Sequence, residues 1–194
     1  MSAVLANWGG YYSQRVYLSE ARRLGLKVNP PHVNHSRREF SVAYPGGQPV
    51  MYMGLDQVKD LTARTMERII NLCPFPTLED FLARVDPRRA EGENLVKAGA
   101  LEGFGPAPAL LRRVQGGAWQ PGQMSLFDSA SEHEQDWSLA QKVAAQQEVL
   151  GISVSAHPLE LYGDKIKRSA AVSTEDAVMR TGKRVTVAAL RQSS

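Results

Sequence analysis

The chain has 194 residues, of which 43% are hydrophobic, and a formal net charge of +3, a composition typical of a soluble globular protein. No apolar run approaches 18 residues, which excludes a membrane-spanning helix, and the first ten residues lack the basic and apolar regions of a secretory signal. A single cysteine, Cys73, excludes an internal disulfide and fits a reducing cytoplasm, the predicted location.

The charge is unevenly distributed along the chain. Residues 1–114 carry a net +4, residues 115–162 a net −5, and residues 163–194 a net +4. Two mildly basic segments therefore flank an acidic connector. Basic segments are compatible with a polyanion as partner, and equally with an ordinary solvated surface.

The first 54 residues predict a helix, an extended segment and a β-hairpin. Apolar positions at helical spacing favour a helix from Ser13 to Leu24, which Gly25 would end. The segment "LKVNPP" is predicted to be extended, because a residue before proline avoids the helical conformation. Two β-prone runs around "PGG" in "FSVAYPGGQPVMYM" indicate a hairpin.

From residue 55 onward the spacing of apolar residues is helical. A helix is predicted in "LDQVKDL" (residues 55–61), and Thr62 and Thr77 are the predicted N-caps of the next two helices. A further short helix is predicted from Arg89 to Ala98, and "ALLRRV" predicts another. Helices this short are unstable alone, so we expect them to pack on one another.

The rest of the chain begins with a stretch that has no periodicity. Residues 115–135 are rich in Gly, Pro, Gln and Ser, which predicts a flexible linker. Helical spacing resumes in "DWSLAQKVAAQQEVL", with Asp136 as predicted N-cap and Gly151 as the end. The segment "GKRVTVAAL" begins as a β-strand, yet no partner strand follows. We therefore expect the chain to end inside a domain.

Candidate catalytic and metal-binding residues are sparse. His32 and His35 are three residues apart, but no cysteine or further histidine nearby supports a metal site. Asp56 and Asp60 would share one face of the predicted helix, where solvated side chains are a simpler interpretation than a two-metal centre. Cys73 has no neighbouring base that would activate it. The sequence thus predicts no catalytic residue, no metal site and no bound cofactor.

Three segments, in a fixed order, resemble parts of the bacterial DNA polymerase III alpha subunit, the C-family replicative polymerase. The segment "YLSEARRLGLKVNPPHVNHSRREFSV" resembles the tail of its fingers region. "GLDQVKDLTARTMERIINLCPFPTLEDFLARVD" and "LVKAGALEGFG" resemble its tandem helix–hairpin–helix module, and "EVLGISVSAHPLELY" the stretch before its OB domain. The resemblance covers nearly the whole chain and implies a C-terminal portion of such an enzyme.

The resemblance implies a mainly α fold with a small β component. Its expected parts are a fingers tail with the β-hairpin (1–54), the helix–hairpin–helix module (55–115), a flexible linker (116–135), a helix and connector (136–165) and the start of a truncated OB domain (166–194). The family's catalytic aspartates belong to the palm and have no counterpart here. The parent enzyme would be a DNA-directed DNA polymerase that uses Mg²⁺, whereas this portion would be non-catalytic.

Helix–hairpin–helix modules bind duplex DNA without reading its sequence, through backbone N–H groups at a hairpin and a helix N-terminus. In the first hairpin, "KDLTART", Asp60 and Thr62 stand where the family commonly has glycine. We expect the backbone N–H groups of Leu61, Thr62 and Ala63 to remain available to a phosphate. The implied DNA-binding residues are Lys59, Leu61, Thr62, Ala63, Arg64 and Arg68. A purely structural role of this hairpin stays open, and the second hairpin, near "GALEGFG", is at least as well interpreted as a packing turn.

The linker contains "QMSLF", which resembles the short motif by which bacterial polymerases attach to the sliding clamp. Leu126 and Phe127 would fill an apolar pocket on the clamp, and the Gln123 amide would hydrogen-bond at its rim, with Met124 and Ser125 between them. The alternative is that Leu126 and Phe127 pack on the chain's own helices.

The partners that the resemblance implies are duplex DNA, the sliding clamp (the beta subunit) and the rest of the polymerase III holoenzyme, with no membrane. Three other interpretations stay open. The chain could be the same region of an error-prone, translesion-associated paralogue, an independent clamp- or DNA-binding adaptor, or a structural domain without a ligand.

Overall fold

The computed structural model describes residues 14–44, 47–116 and 135–189. In these ranges the chain is mainly helical with one three-stranded sheet, which confirms the predicted fold class. The chain divides after Ser155 into two compact units. None of the helices in these ranges is both long enough and apolar enough to cross a membrane.

The elements of each unit follow in chain order. The first unit contains α1 (Gln14–Arg23), β1 (Lys27–Asn29), β2 (Ser41–Ala43), β3 (Val50–Tyr52), a 3-10 turn (Leu55–Gln57), α2 (Ala63–Leu72), α3 (Leu78–Val85), α4 (Arg89–Ala98), α5 (Ala107–Gly116) and α6 (Leu139–Leu150). The second unit contains a 3-10 helix (Pro158–Tyr162), α7 (Gly163–Arg168) and α8 (Thr174–Val178).

The predicted hairpin is confirmed and forms two strands of the sheet. Strand β2 pairs antiparallel with β3, and Val42 lies opposite Met51. Strand β1, the predicted extended segment, pairs parallel with the other side of β3, so that Val28 also lies opposite Met51. Helix α1 covers this sheet with buried Leu18 and Ala21, which share a small apolar core with Met51.

The larger apolar core lies among α2 to α6, because each of these short helices is amphipathic and buries one face. Phe81, Leu82 and Leu95 are fully buried there. The Phe75 ring meets the Phe81 ring edge-on, with 5.2 Å between the centroids, a favoured aromatic geometry. The predicted mutual packing of the helices is thus confirmed, and it holds the module together.

Several helix ends agree with the sequence. The Thr62 hydroxyl accepts a hydrogen bond from the Thr65 N–H and caps α2, and the Thr77 hydroxyl accepts one from the Asp80 N–H and caps α3. Helix α4 has the predicted bounds and ends at Gly99, whose φ of 87° is left-handed. Side-chain caps and glycine ends are local signals, which is why the sequence could place them.

The helix predicted at residues 55–61 is wrong. Only Leu55–Gln57 form a 3-10 turn, so Asp56 and Asp60 do not share a helix face. Asp60 has a φ of 58°, which a helix cannot contain. The first N–H groups of this segment also bond to the loop before β2. Leu55 N–H donates to Arg37 O at 3.0 Å, and Asp56 N–H donates to Arg38 O at 3.0 Å.

Asp136 is not the N-cap of α6, contrary to the prediction. The helix begins at Leu139 and Ser138 caps it, as part of a capping box in which Ser138 and Gln141 bond each other's backbone N–H groups. The serine lies directly before the first helical residue, whereas Asp136 is two residues too early. The Asp136 carboxylate instead accepts a hydrogen bond at the N-terminus of another helix, α5, as described below.

In the second unit, the "HP" of the sequence forms a helix start. The His157 ring nitrogen Nδ1 accepts a hydrogen bond from the Leu159 N–H at 3.2 Å, and Pro158 is the first helical residue. The β-strand predicted near the end is wrong for residues 183–189, which form no strand. One backbone bond, from Val172 N–H to Thr186 O at 2.9 Å, holds this segment, and a strand needs a full partner. The OB assignment stays a prediction.

Candidate nucleic-acid interface

Two equivalent turns lead into α2 and α5. In the first, Leu61 N–H donates to Val58 O at 3.3 Å, and Asp60 between them has a positive φ of 58°. In the second, Phe104 N–H donates to Leu101 O at 3.2 Å, and Gly103 has a φ of 94°. We call residues 58–62 hairpin 1 and residues 101–105 hairpin 2. A positive φ at the third residue of a turn favours glycine, so Asp60 is an unusual occupant of that position.

The carboxylate of Glu91, on α4, lies at the N-terminus of α2. Its Oε1 accepts hydrogen bonds from the Thr62 N–H (2.9 Å) and the Thr62 hydroxyl (2.7 Å). Its Oε2 accepts hydrogen bonds from the Thr65 hydroxyl (3.0 Å) and the Arg88 N–H (2.8 Å). The residue is only 2% exposed. One buried carboxylate thus joins hairpin 1 and α2 to the start of α4.

Glu91 is ionised at neutral pH. Burial raises the pKa of its carboxyl group, but the hydrogen bonds from Thr62, Arg88 and Thr65 together outweigh burial and hold the pKa below its ordinary value. The N-terminus of a helix also favours a negative charge. Hairpin 1 therefore holds a buried anion at neutral pH.

The backbone of hairpin 1 differs from the sequence-based expectation. The N–H groups of Leu61 and Thr62 were expected to be available, but the first donates to Val58 O and the second to Glu91. The Leu61 side chain is buried in the core, and Ala63 is exposed at the first residue of α2. The reason is the long-range contact from Glu91, which no local pattern reveals.

The basic side chains near hairpin 1 fall into two groups. Lys59 and Arg64 are exposed. The Arg64 guanidinium lies 4.0 Å from the Asp86 carboxylate, and both of these side chains are largely exposed to solvent. Arg68 is half-buried and donates to the Arg84 carbonyl at 2.7 Å. Lys59 and Arg64 therefore present positive charge to solvent, whereas Arg68 takes part in packing α2 against α3.

Hairpin 2 has the backbone that hairpin 1 lacks. Gly103 and Gly105 have positive φ values of 94° and 142°. Within the described residues, no hydrogen bond engages the N–H group of either glycine. A Cβ atom added at Gly103 would meet nothing within 4 Å, so this turn is open to an approaching group. Hairpin 2 combines glycine, N–H groups without a partner among the described residues, and the start of α5.

The loop before the sheet holds hairpin 2 in place. The His32 ring nitrogen Nε2 donates to the Glu102 carbonyl at 3.1 Å, while Nδ1 accepts from the Asn34 N–H at 3.0 Å. Val33 N–H donates to Ala100 O at 3.0 Å. Burial, as the largest effect, lowers the pKa of His32, which favours the neutral ring that this pair of hydrogen bonds requires. His32 is therefore a support for hairpin 2.

Asp136 lies at the N-terminus of α5. Its Oδ1 accepts a hydrogen bond from the Ala107 N–H at 2.9 Å, and its Oδ2 lies 2.6 Å from the Lys142 ammonium. Burial raises the pKa of Asp136, but the hydrogen bonds from Lys142, Ala107 and Trp137 lower it below its ordinary value. Unlike Glu91, the Asp136 side chain is 44% exposed. Each hairpin thus has a carboxylate of this chain near the helix that follows it. The one near hairpin 1 is buried, and the one near hairpin 2 is partly exposed to solvent.

The predicted clamp-binding residues, Gln123, Met124, Ser125, Leu126 and Phe127, lie outside the described residues.

Comparisons with known proteins agree with this geometry. Residues 25–111 match the family model of the helix-hairpin-helix motif. The chain is 27% identical to the DNA polymerase III subunit alpha of Campylobacter jejuni over 78% of the chain, and 31% identical to that of Thermus aquaticus over 75% of it. It is also 28% identical to the error-prone DNA polymerase of Alkalilimnicola ehrlichii over 86% of the chain. These matches span 13–17% of the relatives' length.

The paired turns and their helices form a helix–hairpin–helix domain, which the family model matches over residues 25–111. Over 78–90% of its length the chain is similar to DNA polymerase III alpha subunits, which confirms the resemblance seen in the sequence. It corresponds to a small part of those relatives' length.

Proposed function

We propose that this chain contributes sequence-independent duplex DNA binding to a polymerase III alpha-type protein in DNA replication. The observation that carries the proposal is the pair of equivalent turns, hairpin 1 and hairpin 2, each leading into the N-terminus of a ten-residue helix. Helix N-termini and glycine-rich turns bind phosphate through backbone N–H groups. Contacts of this kind position a duplex without reading its bases.

Exposed charge near the hairpins supports the same proposal. Lys59, within hairpin 1, and Arg64, just after it, are exposed to solvent, and residues 1–114 carry a net +4. Asp60 and Glu102 oppose this charge, because both are exposed acidic residues within or beside the turns. We therefore expect weak binding that depends strongly on salt.

Duplex binding is testable by its salt dependence. For a 20-base-pair duplex of arbitrary sequence, the logarithm of the binding constant is expected to fall linearly with the logarithm of salt concentration, by about 0.9 per phosphate contact. The variant Lys59→Ala/Arg64→Ala is expected to have a shallower slope, by up to about 2. Fluorescence anisotropy at several salt concentrations measures both slopes.

The matched control removes two other exposed cations, in Arg23→Ala/Lys27→Ala at the junction of α1 and β1. It lowers the net charge by the same amount, and we expect its slope to equal that of the parent. An affinity that does not respond to salt would contradict phosphate contacts altogether.

We also propose that residues 123–127 attach the chain to a sliding clamp. Support comes from the sequence "QMSLF" within a connector rich in Gly, Pro, Gln and Ser, and from the similarity of the whole chain to polymerase III alpha subunits. Leu126 and Phe127 are the anchors of this proposal, because large apolar side chains dominate short-peptide contacts. A tethered contact can be weak, since tethering supplies an effective concentration on the order of millimolar.

The clamp proposal predicts that Leu126→Ala/Phe127→Ala loses clamp binding. Each anchor contributes about 2 kcal/mol, so without both the affinity for a purified clamp is expected to fall by roughly a thousandfold. Surface plasmon resonance on the immobilised clamp measures the loss. Ser129→Ala/Ser131→Ala, in the same connector, serves as the control and should bind as the parent does. If the Leu126/Phe127 variant binds equally well, the motif assignment is wrong.

A second candidate is the same role in an error-prone polymerase. The match to the error-prone DNA polymerase of Alkalilimnicola ehrlichii favours it, at 28% identity over 86% of the chain. Duplex and clamp binding would be shared by both branches, so the two experiments above apply to either.

A further inference from the structure

We infer that Glu91 closes hairpin 1 to DNA phosphate, so that the backbone contact with a duplex falls to hairpin 2. The inference deepens the proposed duplex binding and rests on it. It assigns to Glu91 a positioning role, because the Glu91 carboxylate determines which of the two similar turns can bind a DNA phosphate.

The first step is the equivalence of the two turns. Val58 and Leu101 each accept a hydrogen bond from the residue three positions later, and Asp60 and Gly103 share a positive φ. Counting from these anchors, Thr62 of hairpin 1 corresponds to Gly105 of hairpin 2. In hairpin 1 the N–H group at this position donates to an anion, the Glu91 carboxylate.

The second step is the state of that N–H group. In hairpin 1 the Thr62 N–H already donates to a carboxylate, at 2.9 Å. In hairpin 2 the corresponding Gly105 N–H has no hydrogen-bond partner among the described residues. Glu91 therefore occupies the place that a phosphate oxygen would need at hairpin 1.

The third step is that the occupant of hairpin 1 cannot be exchanged. Glu91 is 2% exposed and holds four hydrogen bonds. A phosphate that displaced it would strand an ionised carboxylate in the protein interior, and an uncompensated buried charge costs more than a phosphate contact at a solvated surface returns.

The carboxylate near hairpin 2 does not close it in the same way. Asp136 bonds the Ala107 N–H, two residues beyond Gly105, and its side chain is 44% exposed. It does not bond the glycine N–H groups, and solvent already reaches it. The two hairpins thus differ in burial as well as in which N–H group is occupied.

Amide chemical shifts during a titration with the 20-base-pair duplex test the inference in the unmodified protein. The amide signals of Gly103 and Gly105 are expected to shift, while the Thr62 amide keeps the chemical shift that it has in the protein without DNA. If the duplex binds and the Thr62 amide shifts as much as that of Gly105, the inference is overturned and the proposed function stands. If no binding is seen at low salt, the proposed function itself fails, and the inference with it.

A matched pair of variants adds a second readout. Glu91→Ala removes the carboxylate and leaves the Thr62 N–H without its acceptor, which opens hairpin 1 to phosphate. Glu93→Ala, two residues along α4 in surface contacts with Arg89 and Gln115, changes the net charge equally. We expect the salt slope to steepen by about 0.9 for Glu91→Ala and to stay unchanged for Glu93→Ala. Equal slopes in two folded variants would contradict the inference.

Discussion

Replacing Glu91 with alanine is expected to lower the free energy of unfolding by about 3–4 kcal/mol. Four donors on Thr62, Thr65 and Arg88 lose their acceptor. Hydrogen bonds to a charged group contribute about 1.5–3 kcal/mol each, and the four are not independent. Urea unfolding measures the change. Glu93→Ala should cost no more than about 1 kcal/mol, because it breaks only surface interactions, an ion pair with Arg89 and a hydrogen bond with Gln115.

The same carboxylate predicts how stability depends on pH. The pKa of Glu91 in the folded chain lies below its ordinary value of 4.5, so the unfolded state binds the proton more tightly. Its contribution to stability is therefore complete above that pH and is lost as the pH falls through the lower, folded pKa. Between pH 6 and pH 3 the parent should lose more stability than Glu91→Ala, and equal losses would contradict this assignment.

The features that the sequence could predict are those encoded within a few residues. Thr62 and Thr77 cap their helices because the hydroxyl reaches an N–H three residues along the same chain. Gly99 ends α4 because glycine adopts a positive φ at little cost. Strands β2 and β3 pair with each other because only residues 44–49 separate them in the chain.

The wrong predictions arose where a local pattern had two solutions. Apolar residues at 55, 58 and 61 satisfy a helix, and they also satisfy a 3-10 turn followed by a hairpin. The sequence did not say which, because the deciding feature is the positive φ of Asp60, a residue that reveals it less clearly than glycine would. At α6, Asp136 and Ser138 were both good caps, and the capping box with Gln141 decided for the serine.

The features that stayed hidden are long-range. Glu91 is 29 residues from Thr62 in the chain, and His32 is 70 residues from Glu102. Neither residue type nor spacing marks such a pair. The parallel pairing of β1 with β3 was missed for the same reason, since it depends on where α1 and the loop after β1 place the strand. An acidic residue at the third position of the predicted helix 89–98 was the one signal that the sequence offered for Glu91.

The other large effect is expected at Gln146, whose side chain is only 3% exposed on α6. Its Oε1 accepts hydrogen bonds from the Val154 N–H and the Ser155 N–H, both at 2.9 Å, and its Nε2 donates to the Ala98 carbonyl at 3.2 Å. Gln146→Ala leaves the buried Val154 N–H and Ala98 carbonyl without their partner, and the half-buried Ser155 N–H as well. Since an unsatisfied buried group costs about 1–3 kcal/mol, we expect a loss of roughly 3 kcal/mol in the free energy of unfolding.

The neighbouring Gln147 is exposed, so Gln147→Ala is the matched control and should stay within about 0.5 kcal/mol of the parent. Gln146→Leu separates hydrogen bonding from packing, because leucine fills the space without an acceptor. If Gln146→Leu were as stable as the parent, the hydrogen bonds would not explain the effect.

Ala98 is the last residue of α4, directly before the connection to hairpin 2. A Gln146 variant that still folds should therefore also bind the duplex more weakly than the Gln147 control, because the end of α4 that carries hairpin 2 has lost its attachment to α6.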